Sequence, residues 1–308
     1  MYDFLKRKLH KFIRRNFYAE IWNIAFIEAN IEAILDKDFT KLDAKWLPKQ
    51  KNFHYLADPF FCKENGHILL FVEDFSYYDK KGKVKLLKLD QNYQILDEKI
   101  ILKDKSHYSY PFIYKENGHF YMLPENSSAD ELSIYTTKNP WAEWQKTQTI
   151  FSKQKLIDAT LLYHDKTYWL FYNTKSDIHG SNSELHIAYS DSLDKNFTFH
   201  PQNPIKIDIS SSRPAGKILE INNKLYRPAQ DCSKSYGGAL VINEIVKLTK
   251  TEYTEKTVNQ IEPISSSYPD GIHTINYEDG LFVIDGKKYE FHLHKILVNL
   301  YRRIRKIL

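Results

Sequence analysis

The chain has 308 residues, 42 % of them hydrophobic and 15 % aromatic, enough for one large β domain or two ordinary ones. Its two cysteines, Cys62 and Cys232, make no disulfide framework and match no metal-site spacing, so a reducing cytoplasm is the expected compartment. The net charge is +5, but residues 1–17 and 287–308 together hold 13 Lys and Arg against two acidic residues. The body between them is therefore acidic, which excludes nucleic acid lying across it.

In chain order, residues 1–17 carry Lys6, Arg7, Lys8, Lys11, Arg14 and Arg15. Their apolar residues, from Tyr2 to Ile13, recur at helical spacing. No apolar segment follows of the kind that makes a secretory signal. Residues 20–27 read as a strand, expected to complete a blade begun at the other terminus. A loop with Asp36, Asp38 and Asp43 leads to the stretch from Asp58, where one apolar strand runs into Asn65-Gly66 and a second follows, ending at Glu73-Asp74. Asn-Gly between such runs is a strong hairpin signal, because a type I′ turn needs positive φ at both central residues.

That stretch recurs. From Tyr110 the chain repeats Pro-Phe, Lys-Glu-Asn-Gly-His and a closing Glu125. Further copies turn at Asp165-Lys166, Asn222-Asn223 and Asp279-Gly280, and the residues after successive turns are 52, 48, 57 and 57 apart. One hairpin plus further strands at a period near fifty signals a β-propeller, and five copies imply five blades. Outer strands are expected at 84–90, 95–102, 132–136, 185–190 and 239–248, and residues 140–144 read as a capping loop that buries Trp141 and Trp144. The last stretch, 287–308, mirrors the first: basic, with Ile296, Leu297, Leu300, Tyr301 and Ile304 at helical spacing. Neither end approaches the roughly 18 apolar residues of a membrane span. The expected class is all-β: a five-bladed propeller over 18–286 with short amphipathic helices at both termini. Two basic helices suit an anionic membrane surface or a partner protein; packing of their apolar faces on the propeller is the alternative.

The first strand of each blade lines the channel, so residues at its start gather at one mouth. Those positions hold Asp58, Tyr110, Asp158, Arg213 and His273. An antiparallel second strand returns to the same mouth, which brings Glu73 and Glu125 there. Arg213 and Arg227 suit a phosphate or carboxylate. Arg227 could instead pair with Asp231, and His273 could be an acid–base group or a satisfied channel histidine. No phosphate loop, metal-spaced cluster or nucleophile triad is present, so no cofactor and no metal is expected.

Ala57-Asp58-Pro59-Phe60 resembles the opening of the five-bladed propellers of glycoside hydrolase families 43 and 32, but Ser109-Tyr110-Pro111 and Ile157-Asp158-Ala159 stand where those enzymes carry a second Asp and an acid Glu. A longer series resembles the propeller domain related to the N-terminal part of plant glucosamine inositolphosphorylceramide transferases. It comprises Leu123-Pro124-Glu125-Asn126, Asp158-Ala159-Thr160, Ser212-Arg213-Pro214-Ala215-Gly216, Tyr226-Arg227-Pro228-Ala229-Gln230-Asp231, Tyr236-Gly237-Gly238 and Asp270-Gly271-Ile272-His273. That resemblance implies a bacterial relative acting among surface-polysaccharide enzymes. The expected activity is glycosyl transfer in polysaccharide or glycolipid synthesis. Asp58, Asp158 and Glu125 would be catalytic, and Tyr110, Arg213, Arg227, Asp231, His273 and Glu73 would hold a sugar or sugar phosphate in an open, hydrated pocket. A family 43/32-type hydrolase and a noncatalytic sugar-binding propeller are the alternatives. A partner biosynthetic enzyme and peripheral attachment to the inner membrane face are further expectations.

Overall fold

A computed structural model describes residues 12–264 and 266–305; the helical reading of 1–11 and of 306–308 lies outside the described residues. Residues 12–17 are helical and lead into β1 (Tyr18–Glu28) and β2 (Lys45–Trp46). Blade 1 is β3 (His54–Glu64), β4 (His67–Ser76), β5 (Lys81–Leu89) and β6 (Ile95–Leu102). Blade 2 is β7 (Ser109–Glu116), β8 (His119–Glu125), β9 (Glu131–Thr137) and β10 (Gln145–Ser152). Blade 3 is β11 (Leu156–His164), β12 (Thr167–Thr174) and β13 (Glu184–Ser190), edged by β14 (Thr198–Phe199) and β15 (Lys206–Ile207). Blade 4 is β16 (Leu219–Ile221), β17 (Lys224–Asp231), β18 (Ala239–Leu248) and β19 (Tyr253–Ile261). In blade 5, β20 (Ile275–Glu278) and β21 (Leu281–Phe291) are completed by β1 and β2 from the N-terminal side.

All five expected turns form, with positive φ at both central residues of each: Asn65-Gly66, Asn117-Gly118, Asp165-Lys166, Asn222-Asn223 and Asp279-Gly280. The ring closes as expected, β1 pairing with β21 from Tyr18↔Phe291 to Glu28↔Leu281. That pairing carries β21 five residues past the expected boundary at 286. Lys287 and Lys288 therefore belong to the propeller, and the C-terminal helix starts only at Lys295 (Lys295–Arg305). Of the two indoles expected to be buried, Trp144 is, donating through Nε1 to the Pro140 carbonyl, while Trp141 is half-exposed.

Blades pack through aromatic and branched side chains; Phe60 of blade 1, for example, meets Tyr110 of blade 2 edge-on at 4.8 Å. Each such buried ring contributes about 2–3 kcal/mol of transfer free energy. Near the axis the backbones come closer than a side chain allows. Gly216 has φ 134°, and a Cβ there would lie 1.9 Å from the Ile275 carbonyl oxygen of blade 5. Gly216→Ala should lower stability by at least about 2 kcal/mol through backbone strain and the clash. A urea unfolding curve that matched the parent's would contradict the close approach.

Candidate functional site

The carboxylates at the channel mouth answer a backbone problem shared by three blades. The ladder between first and second strands slips at Ala57/Phe60, Ser109/Phe112 and Ile157/Thr160. The residues inside those slips, Asp58, Tyr110 and Asp158, take φ values of 52°, 43° and 50°. A bulge leaves its N–H without a ladder partner. Each finds an acceptor in the preceding blade: Asp58 N–H donates to Asp285 Oδ2 (3.1 Å), Tyr110 N–H to Asp58 Oδ2 (3.0 Å), and Asp158 N–H to Glu125 Oε2 (3.2 Å).

Blades 4 and 5 close the cluster. Arg213 Nε lies 2.6 Å from Asp158 Oδ2, its Nη1 donates to Asn182 Oδ1, and its Nη2 is 4.0 Å from Glu125 Oε2. Tyr236 covers the guanidinium, ring centroid 5.0 Å away, and remains exposed to solvent. Gln230 donates to Asp158 Oδ2 at 2.8 Å. The Tyr110 hydroxyl crosses the channel, accepting from Gly216 N–H at 2.7 Å. His273 sits between two aspartates, Nδ1 at 2.5 Å from Asp285 Oδ2 and Nε2 at 3.4 Å from Asp58 Oδ1, with Trp22 stacked on its ring at 3.9 Å.

Burial pushes Asp58 up to about 6, with His273 pulling it down and Asp158 adding to the rise. Burial likewise pushes Asp158 up to about 7 against the pull of Arg213. Glu73 is raised by burial and then by Asp58, Glu125 and Asp158; its Oε1 is buried without a hydrogen-bond partner, and His107, which burial holds toward its neutral form, lies 3.6 Å away. For His273, burial opposes the charge, but Asp285 and Asp58 outweigh it and raise the pKa. The ligand atoms of Asp58, His273 and Asp285 lie within 4.8 Å of one another. Asp285, however, already accepts from the N–H groups of His273 and Thr274 through Oδ1 and from Asp58 N–H through Oδ2. The geometry is that of an imidazolium between two carboxylates.

Asp58, Tyr110, Asp158, Glu125, Glu73, Arg213 and His273 thus converge as the sequence predicts. Arg227 and Asp231 do not. Arg227 turns outward, its Nη2 2.7 Å from Glu255 Oε1 on β19 and its Nε 2.8 Å from Oε2, while Nη2 also donates to the Ser211 carbonyl. Its partner is an outer-strand glutamate and not Asp231, which ends β17 and accepts from Ser233 N–H. Nor is the cluster the open pocket expected: the side chains of Arg213, Glu125, Asp158, Asp58 and His273 are only 3–11 % exposed. The sequence reading also missed Asp285, Asn182, Gln230 and Lys287. A signal for the last two was present. The seventh residue of each second strand is Glu73, Glu125, Asn173, Gln230 and Lys287 in turn, five polar side chains at one level, all buried.

Residues 44–267 match the family described as "Glucosamine inositolphosphorylceramide transferase 1, N-terminal". Glucosamine inositolphosphorylceramide transferase 1 of Oryza sativa subsp. indica is 36 % identical over 212 residues, 67 % of this chain and 28 % of the relative. That of Arabidopsis thaliana is 31 % identical over 209 residues, 67 % of this chain and 27 % of its own length. The chain spans little more than a quarter of these relatives, and as plant proteins they lend no support to a bacterial placement. Among solved structures, a family 117 glycoside hydrolase from Zobellia galactanivorans superposes with TM-score 0.55 at 10 % identity, covering 89 % of this chain and 91 % of that one. A family 43 β-1,3-galactosidase gives TM-score 0.56 at 11 % identity over 71 % and 52 % of the two chains. At such identities the likeness is one of fold.

Two stability predictions follow from the charges. Asp58 and Asp158 have folded pKa values above the ordinary aspartate value, so the folded state binds extra protons. Their contribution is full below about pH 4 and is lost as pH rises through about 6 and 7. His273, also raised, acts in the same direction. The Tm should fall from pH 5 to pH 7.5, and Asp58→Asn should flatten the lower part of that slope; a parent Tm that rises over this range contradicts the assignment. Arg227→Ala, which leaves the buried Glu255 with only Lys206 and the Tyr253 hydroxyl, should cost about 3 kcal/mol in a denaturant titration. Arg227 makes no direct contact with Asp158, so the neutral-pH slope of Tm should survive wherever the variant stays folded.

Proposed function

The chain belongs to the glucosamine inositolphosphorylceramide transferase 1 N-terminal family, and from that premise we propose that its propeller takes part in glycosyl transfer. The reaction proposed is one of surface polysaccharide or glycolipid synthesis, with a sugar or sugar phosphate bound at the channel mouth. The observation that carries this reading is the convergence of Asp58 and Asp158 from blades 1 and 3, with carboxyls titrating at about 6 and about 7. Glycosidic bonds are made and broken through an oxocarbenium-like transition state flanked by two carboxyl groups, one giving a proton and one taking it. Both roles work best with pKa values near the operating pH.

In this reading Asp158, beside Glu125, holds the proton, and Asp58 acts as base or nucleophile. His273, oriented by Asp285, sets the ionisation of Asp58. Glu73, raised by burial and by the neighbouring carboxyls, is held toward its neutral form behind them. Arg213, under the exposed Tyr236 ring, binds the phosphate or acidic group of the sugar. Buried free thiols at Cys62 and Cys232 suit a reducing cytoplasm, where a neighbouring biosynthetic enzyme would supply the donor or acceptor. One observation favours a second reading. Asp58 is spent on the Tyr110 N–H and Asp158 on the side chains of Arg213 and Gln230, and both are nearly closed to solvent, as expected of a noncatalytic sugar-binding propeller.

Asp58→Asn discriminates the two. An amide oxygen can still accept from Tyr110 N–H, so the Tm at pH 7 should hold or rise. Transfer from labelled sugar nucleotides to lipid-linked acceptors should drop by at least about a hundredfold. Full transfer by the variant would leave Asp58 outside the chemistry; unfolding of the variant with sugar binding intact in the parent would make it a turn aspartate.

A further inference from the structure

The C-terminal helix packs the wrong way round for a helix stabilised by its domain. Its buried side is Val298, with Lys295 and Arg302 half-buried beside it. Lys295 Nζ donates to the Tyr18 carbonyl, and Arg302 lies close enough to be depressed by burial. The apolar residues Ile296, Leu297, Leu300, Tyr301 and Ile304 are 41–58 % exposed. A surface helix ordinarily turns its apolar stripe to the core, and large exposed apolar patches mark interaction sites. Phe12 of the N-terminal helical segment lines the same apolar hollow.

Next to this stripe lies a cleft of about 330 Å³ lined by Arg15, Lys80, Lys295, Arg302 and Arg303 around Tyr77; among the described residues no carboxylate lines it. The cleft sits at the end of the propeller that carries the channel mouth. Strand β4 passes Glu73 and ends three residues later at Ser76, before Tyr77 and Lys80; β21 passes Lys287 and ends four residues later at Phe291, before the helix.

We propose that this face docks the propeller, channel mouth first, on an anionic phospholipid surface, with apolar side chains in the acyl boundary and a lipid phosphate in the five-cation cleft. Apolar residues beside a cleft lined by cations are the composition of an interfacial helix. No described helix is long and apolar enough to cross a membrane, which leaves lying on the surface as the mode for these residues. A second copy of the chain fits poorly, since self-docking would set one five-cation cleft against another. The inference does not depend on the transfer reaction.

Flotation of the full chain with vesicles of phosphatidylcholine, with and without phosphatidylglycerol, tests it. The parent should float only with the anionic vesicles and detach as salt is added. Leu297→Asp/Leu300→Asp and Lys80→Glu/Arg303→Glu should each weaken binding at least about tenfold while keeping the parent's Tm. All four side chains are exposed or line the cleft, and the charge-reversal pair stands on its own if the aspartates disturb the helix. A parent that does not float, or variants that float as well as the parent, would overturn the proposal. So would a parent dimer in light scattering that the leucine variant splits, because the face would then join two copies. Transfer to a soluble acceptor, read on the same preparations, keeps docking and catalysis separable.

Discussion

At three places around the axis a first strand must bulge, and the N–H it frees must be met inside a nearly dry channel. An unpaired buried N–H costs roughly 1–3 kcal/mol, and the neighbouring bulges lie in successive blades. Asp285, Asp58 and Glu125 meet this demand, each reaching forward into the next blade. The carboxylate that supports one bulge is itself displayed by another: Asp58 accepts from Tyr110 while its own N–H is held by Asp285. Blade order and charge placement are thus one constraint, and replacing any member by an apolar side chain strands a donor in the adjacent blade.

Gathering acceptors for backbone groups also gathers negative charge. Glu73, Glu125, Asp58, Asp158 and Asp285 crowd the interior, opposed by Arg213 and His273, and Lys287 caps the loop at Tyr236 through its carbonyl. Burial without full compensation favours the protonated carboxyl, which is why Asp58 and Asp158 titrate toward neutrality whereas Glu255, paired with Arg227 and Lys206, is driven down to about 2. The contrast separates two uses of charge in one molecule. The Arg227–Glu255 pair is matched and locks β17 to β19. The channel cluster is short of cations, which is the arrangement that leaves proton-exchanging groups near pH 7.

Much of this was legible in the residues. The Asn-Gly and Asp-Gly turns demand positive φ, so the hairpins and their count could be read directly, and an orphan strand at 20–27 before five repeats pointed to closure by exchange. Other parts lacked a local signal. β10 and β19 are edge strands with mostly exposed residues, and neither is among the strands expected from the sequence. Arg227 looked like a ligand-binding residue because Glu255, its partner, sits on a strand that had not been recognised. Asp285 lies at a different level from the closing carboxylates of blades 1 and 2, so matching the repeats by their last acid passed over it. Helical spacing located the amphipathic tail but could not say which side would face the protein, since Lys295 and Arg302 bury their stems where an apolar stripe was the alternative.

Closure by exchange has a geometric consequence for that tail. Because β1 enters beside the last residues of β21, Tyr18 and Phe291 are paired neighbours, and both chain ends leave the ring at one point. Strand direction fixes which end that is. Each second strand starts at a hairpin turn on one face and climbs past the polar level to the other, so β21 delivers the C-terminal helix to the channel-mouth side, beside the blade 1 loop at Tyr77. The acidic channel and the basic terminal segments therefore share one end of the molecule. Arg15, Lys80 and Arg303 of the basic cleft thus stand at the same end as Arg213 and the carboxylates of the channel.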